Sequence, residues 1–345
     1  MFNCCIPVVL SYKLRLHNAE RILRSQNMLN KNIVRTSVAA IAGLLACFAL
    51  TGCTTKSITT PSPTLFVTDG ASNRIVQITD VNSGNWTALG SLGSAVNQFN
   101  RPSAVFLDSG AKLLIADTNN NRIVRVDNIG GVNWSSYGTV GSGPAQLSLP
   151  RQAVSDAAGK IYISDTGNNR IVRIDDITGA NPVSFGTFGS AAGQFNVPTG
   201  IALDSLNHIY VLDSGNSRVV RMDDIAGTNL VMLGSLGIGV NQFTTPMGIY
   251  VDGSNRIFVA DTGNNRIEQF DNMTGANWSV LGTLGDGPSQ FNSPSGIYTD
   301  AQGRVYVTDT GNSRLVRMDA INGHNWFAVV QNIDASHFSQ PLGIY

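Results

Sequence analysis

From residue 65 onward the chain alternates short apolar runs with segments rich in Gly, Asn and Ser. The apolar runs are β-branched and aromatic, as in Ile209-Tyr-Val-Leu212, Arg170-Ile-Val-Arg-Ile-Asp175 and Pro246-Met-Gly-Ile-Tyr-Val-Asp252. Their period is that of strands, and no stretch of this region carries the 3.6-residue period of a helix. A polar turn follows one strand of each set. It reads Asp117-Thr-Asn-Asn-Asn-Arg122, Asp165-Thr-Gly-Asn-Asn-Arg170, Asp213-Ser-Gly-Asn-Ser-Arg218, Asp261-Thr-Gly-Asn-Asn-Arg266 and Asp309-Thr-Gly-Asn-Ser-Arg314, with a weaker first copy, Asp69-Gly-Ala-Ser-Asn-Arg74. Gly and Asn tolerate left-handed backbone angles, and an Asp side chain can bond the turn's own amides. The aspartates stand 48 residues apart throughout. Such a period predicts a propeller, a solenoid or an array.

Each unit predicts four strands. After the turn and its second strand comes a strand near Trp86, Trp134, Pro182, Leu230, Trp278 or Trp326. Gly-rich loops then lead through Gln-Phe pairs such as Gln194-Phe195 to a strand that opens with proline, as in Pro198-Thr-Gly-Ile201 and Pro294-Ser-Gly-Ile297. The first unit lacks that proline strand, and the chain ends in one, Pro341-Leu-Gly-Ile-Tyr345. Inserting this strand into the first unit closes a ring and removes two sheet edges. A solenoid would instead need polar capping repeats. The expectation is an all-β, six-bladed β-propeller of about 24 strands with four-stranded blades, closed by the C-terminal strand.

The units over residues 65–345 resemble NHL repeats, whose hallmark is Pro-x-Gly-Ile-x-x-Asp, a strand, and Asp-Thr-Gly-Asn-x-Arg-Ile. The departures are Asp69-Gly-Ala-Ser and Pro150-Arg-Gln-Ala. NHL propellers of bacterial receptor kinases and eukaryotic ubiquitin ligases serve interaction, so the resemblance implies a binding or scaffold module. Other relatives of this propeller are metal-dependent amidating lyases or sugar-lactone hydrolases. That is the alternative function, and it would place a divalent cation in the channel; otherwise no cofactor is expected.

The amino-terminal part reads as a leader. Residues 1–27 are expected to be an upstream mis-start. Residues 28–52 form a signal peptide, with Lys31 and Arg35 before the mostly apolar stretch Thr36 to Leu50, too short for a membrane span. Leu50-Thr51-Gly52-Cys53 resembles the lipobox of bacterial lipoproteins, which implies lipidation at Cys53 and a tether over 53–64. The protein is thus expected to be exported and membrane-anchored. Thr54 after the cysteine points to the outer membrane or its periplasmic face in a Gram-negative cell. No cysteine follows Cys53, so the body has neither disulfide nor thiolate metal site.

Charge sharpens the partner question. Residues 1–53 hold six basic residues and Glu20, leaving 17 basic and 22 acidic residues over 54–345, a net charge near −5. Nucleic acid needs a basic surface, so it is not an expected partner. A protein, peptide or glycan at the envelope is.

Among candidate residues, Asp117 and Arg122, Asp165 and Arg170, Asp213 and Arg218, Asp261 and Arg266, and Asp309 and Arg314 are expected to pair across their turns and hold them. Asp108, Asp156, Asp204, Asp252 and Asp300 are expected to cap the turns after the inner strands, and the tryptophans to pack between blades. Ligand-binding residues are sought at the channel mouth, where the position after proline varies most: Ser103, Arg151, Thr199, Met247, Ser295 and Leu342. Arg151 with Gln152 is the one polar break there. His208, His324 and His337 fall in unrelated registers and suggest no catalytic site. His208 reads as a solvated basic residue. Glu268, the only glutamate after Cys53, replaces a valine on an outer strand.

Overall fold

The computed structural model describes residues 63–81, 85–329 and 338–345. The leader, Cys53, most of the tether and His337 lie outside the described residues.

Six four-stranded antiparallel sheets form the blades of a propeller. From the axis outward, the second blade runs Pro102–Leu107, Leu113–Asp117, Arg122–Val126 and Ser135–Tyr137. The third to sixth blades repeat this order from Gln152–Ser155, Pro198–Leu203, Gly248–Val251 and Pro294–Thr299. The first blade takes Leu65–Asp69, Arg74–Asp80 and Asn85–Leu89 from the start of the propeller, and its innermost strand is Pro341–Ile344. Val67 pairs with Ile344 and Asp69 with Pro341, so the ring is closed.

The core lies between blades. Each second strand is buried along its whole length, because its alternating side chains face two neighbouring blades rather than water. Phe66, Ile75 and Leu89 of the first blade, for example, pack against Phe99, Val105, Leu113 and Val124 of the second. The tryptophans join these seams: Trp134 lies 5.3 Å from Phe99, Trp326 5.1 Å from Phe291, and Trp278 stacks on Phe270 at 4.6 Å. The closing seam is built the same way. Tyr306 and Leu315 of the sixth blade pack with Leu65, Val67 and Ile344.

The glycine of Pro-x-Gly-Ile is required on both sides of the first blade's inner strand, where that strand approaches its neighbours closely. A Cβ on Gly296 would meet the Leu342 carbonyl oxygen at 2.5 Å, and one on Gly343 the Ala104 Cα at 2.6 Å. In the third blade Gln152 takes this position, and its Oε1 accepts the Ile201 amide of the next blade at 3.1 Å.

Candidate functional site

The repeated turn is a staple between strand and loop. In the second to sixth blades it is a single 3-10 turn closed by a left-handed residue, as at Asn169 with φ 54°. The aspartate side chains are fully buried, and the arginine Nε donates to Oδ2 at 2.7–3.1 Å in all six copies. In the second blade, Asn120 Nδ2 donates to the same Asp117 oxygen and to the Gly93 carbonyl. Arg122 reaches on to the Ser94 and Gln98 carbonyls, and Asp117 Oδ1 accepts the Asn100 amide. The pattern recurs at Asp165, Asp213, Asp261 and Asp309. Burial raises the carboxyls of Asp117, Asp213, Asp261 and Asp309, while these hydrogen bonds and the arginine hold the charge. The charged ends of the Asp and Arg are thus committed within the protein.

Where the residue before the arginine is asparagine, it acts between blades. Asn73, Asn121, Asn169 and Asn265 accept through Oδ1 the amides of Arg101, Leu149, Val197 and Ser293. Those four residues, with Thr245, are left-handed at φ 43–54° just before each inner strand.

The candidate mouth residues do come together. Ser103, Arg151, Gln152, Thr199, Met247, Ser295 and Leu342 all line one axial cavity of about 50 Å³ on the face that carries the turns. The hydroxyls there are structural. Ser103 Oγ bonds the Arg151 carbonyl at 2.6 Å and Thr118 Oγ1 at 2.6 Å; Thr199 Oγ1 bonds Ser214 Oγ and the Pro246 carbonyl. The Arg151 side chain makes no hydrogen bond or ion pair among the described residues, and burial, then the nearby Arg101 charge, lowers its pKa.

A second axial cavity, about 330 Å³, opens on the opposite face and shares Val105, Gln152, Ile249, Ile297 and Ile344 with the first. Four aromatic rings cover half of its mouth. Phe106 lies 4.8 Å from Tyr345, Tyr345 5.1 Å from Tyr298, and Tyr298 5.1 Å from Tyr250. Burial pushes the Tyr298 hydroxyl up to about 12 and raises that of Tyr250 as well. Val154 and Ala202 hold the same register in the third and fourth blades and leave the other half open. Sequence reasoning missed this mouth. The signal was the sixfold series Phe106, Val154, Ala202, Tyr250, Tyr298, Tyr345.

The aspartates on that face cap their turns through backbone amides, as Asp156 Oδ1 does with Ala158 and Lys160. His208 departs from the solvated residue expected. Its Nδ1 lies 2.7 Å from Asp204 Oδ2, and its ring is mostly buried. Glu268 also differs from the sequence reading. It sits on the third strand of its blade, fully buried between blades, with Oε1 2.5 Å from Arg266 Nη2. Burial and the Asp261 charge push its carboxyl up to about 9. Arg266 cannot offset this, because it already serves Asp261 and the Ile238 and Gln242 carbonyls. Among the described residues no three His, Asp, Glu or Cys side chains gather as a metal site.

The turn face carries a feature that the sequence reading passed over. Leu92, Val140, Phe188, Leu236 and Leu284, 48 residues apart, are each 65–71% exposed. They sit in the loops that the turn arginines and asparagines bind. Ile238 and Val240 extend the patch beside Leu236. The signal was the recurring Gly-(Ser/Thr)-apolar-Gly of the loops.

These blades define a six-bladed β-propeller. The NHL repeat model matches residues 195–222, 243–270 and 291–318, the fourth to sixth copies of the unit, so the chain carries NHL repeats. No curated protein sequence matches it. Among solved structures, a chain of the nidogen/laminin complex aligns with a TM-score of 0.62 at 16% identity over 81% of this chain and 97% of its own. A streptogramin B lyase aligns at 0.56 and 15%, over 82% and 84%. A catalytically inactive virginiamycin B lyase from Staphylococcus aureus with quinupristin aligns at 0.53 and 17%, over 75% and 78%. At such identities the likeness is one of fold.

Proposed function

We propose that this propeller is a binding module which docks a protein or peptide partner on its turn face, held at the cell envelope by a lipid on Cys53. The observation that carries this reading is the ring of five exposed apolar side chains, Leu92, Val140, Phe188, Leu236 and Leu284, on loops pinned by buried Asp–Arg pairs. Solvent-exposed apolar groups repeated around one rigid face mark an interaction surface, since each gains by leaving water. Their spread over several blades suits a protein surface better than a short glycan. The protein complex among the similar folds agrees with this use. The alternative, a metal-dependent lyase or lactone hydrolase, has the lyase folds as its support.

Photo-crosslinking in intact cells tests the proposal. A photoreactive residue at position 188 or 236 is expected to form a discrete protein adduct, and one at exposed Gly110 on the opposite face to form none. Adducts at neither turn-face position, or equally at all three, would sink the reading.

A further inference from the structure

The six turn arginines, together with Arg125, Arg173, Arg221, Arg256, Arg304 and Arg317, each pair with an aspartate. The side chains of Arg101 and Arg151 have no such partner among the described residues. Both stand at the start of inner strands on the turn face, in the second and third blades, and are near enough for one charge to act on the other. Arg151 is partly buried, and its backbone is fixed: its amide donates to the Ser164 carbonyl at 3.1 Å and its carbonyl accepts from Ser103 Oγ at 2.6 Å. The cavity that it lines contains no Asp or Glu. A half-buried guanidinium beside a second cation, on a body whose net charge is negative, is a site of unmatched positive potential.

We propose that the axial cavity at Arg151 receives a carboxylate presented by the protein partner, with Arg101 as the second cation. This rests on the turn face being the docking surface. Guanidinium presents a planar fork that matches a carboxylate in two parallel hydrogen bonds. A water-sized group needs about 10–15 Å³ of such space, so the cavity of about 50 Å³ has room for the end group of a ligand. Met247 and Leu342 line the remainder of the mouth, and the apolar ring lies around it. An arginine at the centre of an apolar docking face is where partners concentrate binding energy.

The test follows the Arg151 Nε–H resonance of the purified full chain, assigned with Arg151→Gln. N-acetylglycylglycine, its C-terminal amide and inorganic phosphate are the probes. The free acid is expected to shift that resonance saturably, and the amide to leave it unmoved. The apparent affinity should fall at least tenfold in Arg151→Gln, read from neighbouring amides, and several-fold in Arg101→Gln, with the rest of each spectrum retained. A response to phosphate alone, or to none of the probes, overturns the carboxylate assignment. Adducts at 188 or 236 without an Arg151 response leave the docking face standing and remove this inference. An Arg151 response without those adducts overturns the partner as the source of the carboxylate.

Discussion

Thr310 donates its hydroxyl hydrogen to the Pro341 carbonyl at 2.6 Å, and this bond ties the sixth blade to the strand that completes the first. The same bond joins consecutive blades elsewhere, from Thr166 to Pro198 and from Thr262 to Pro294, each at 2.6 Å. Ser214 makes it to Pro246. One step further in, Thr308 Oγ1 bonds the Leu342 carbonyl at 2.6 Å. The seam is therefore made with the chemistry of the junctions from the second blade to the sixth; only the first-to-second junction, where Gly70 replaces the hydroxyl residue, lacks it. Its two sides differ only in being far apart in sequence.

Thr310→Val should cost about 1 kcal/mol, the net worth of one hydrogen bond with its carbonyl left unpaired. Thr166→Val should cost a similar amount, but at a junction that continuous chain also holds. Amide exchange separates them: Thr310→Val is expected to speed exchange at Phe66 and Tyr345, whose amides bond each other's carbonyls across the seam, and Thr166→Val to leave those amides unchanged. Equal exchange in both variants would contradict a seam that opens first.

Glu268 predicts a pH-dependent stability. The folded protein keeps its proton up to about pH 9, whereas an unfolded glutamate releases it near 4.5. Between those values the folded state holds the extra proton, so unfolding free energy falls as pH rises, by up to about 1.4 kcal/mol per unit. Below the window the penalty is absent. Glu268→Val restores the residue type that other blades carry at this position, as Val220 and Val316 do, and removes that slope. Melting curves at pH 5 and pH 8 should show the variant gaining on the parent at the higher pH. A constant difference across the range would refute the buried neutral acid.

Val197 has φ 54°, a left-handed conformation that a β-branched side chain resists. Its amide is held by Asn169 Oδ1 at 2.8 Å, which keeps it there. Val197→Asn should raise stability by roughly 0.5–1 kcal/mol, measured by denaturant midpoint. By contrast, Gly296→Ala should lower it by about 2 kcal/mol or more, because the added methyl meets the Leu342 carbonyl across the closing seam.

The envelope assignment is tested at the anchor. Cys53→Ser should abolish metabolic labelling with palmitate and move the protein from the membrane to the soluble fraction. An unlabelled parent protein would remove the lipid from the proposal and leave the propeller as it is.

The sequence alone determined the fold, because each blade repeats one solution to the same local problem. Strand period, left-handed turn residues and a 48-residue spacing act within or between adjacent units, so they are visible along the chain. The Asp–Arg pairs were legible for that reason, and the terminal proline strand gave away the ring. Tertiary structure alone decided what the axis does. Ser103, Arg151, Thr199 and Met247 meet only when six blades close, and whether a cation there finds a counter-ion depends on side chains from other blades. Glu268 shows the same limit: a polar residue on a strand reads as solvent-facing until the neighbouring blade covers it. The apolar loop ring and the aromatic far mouth were written in the sequence as series repeated from unit to unit, fivefold and sixfold, but exposure is a property of the assembled surface and not of the repeat.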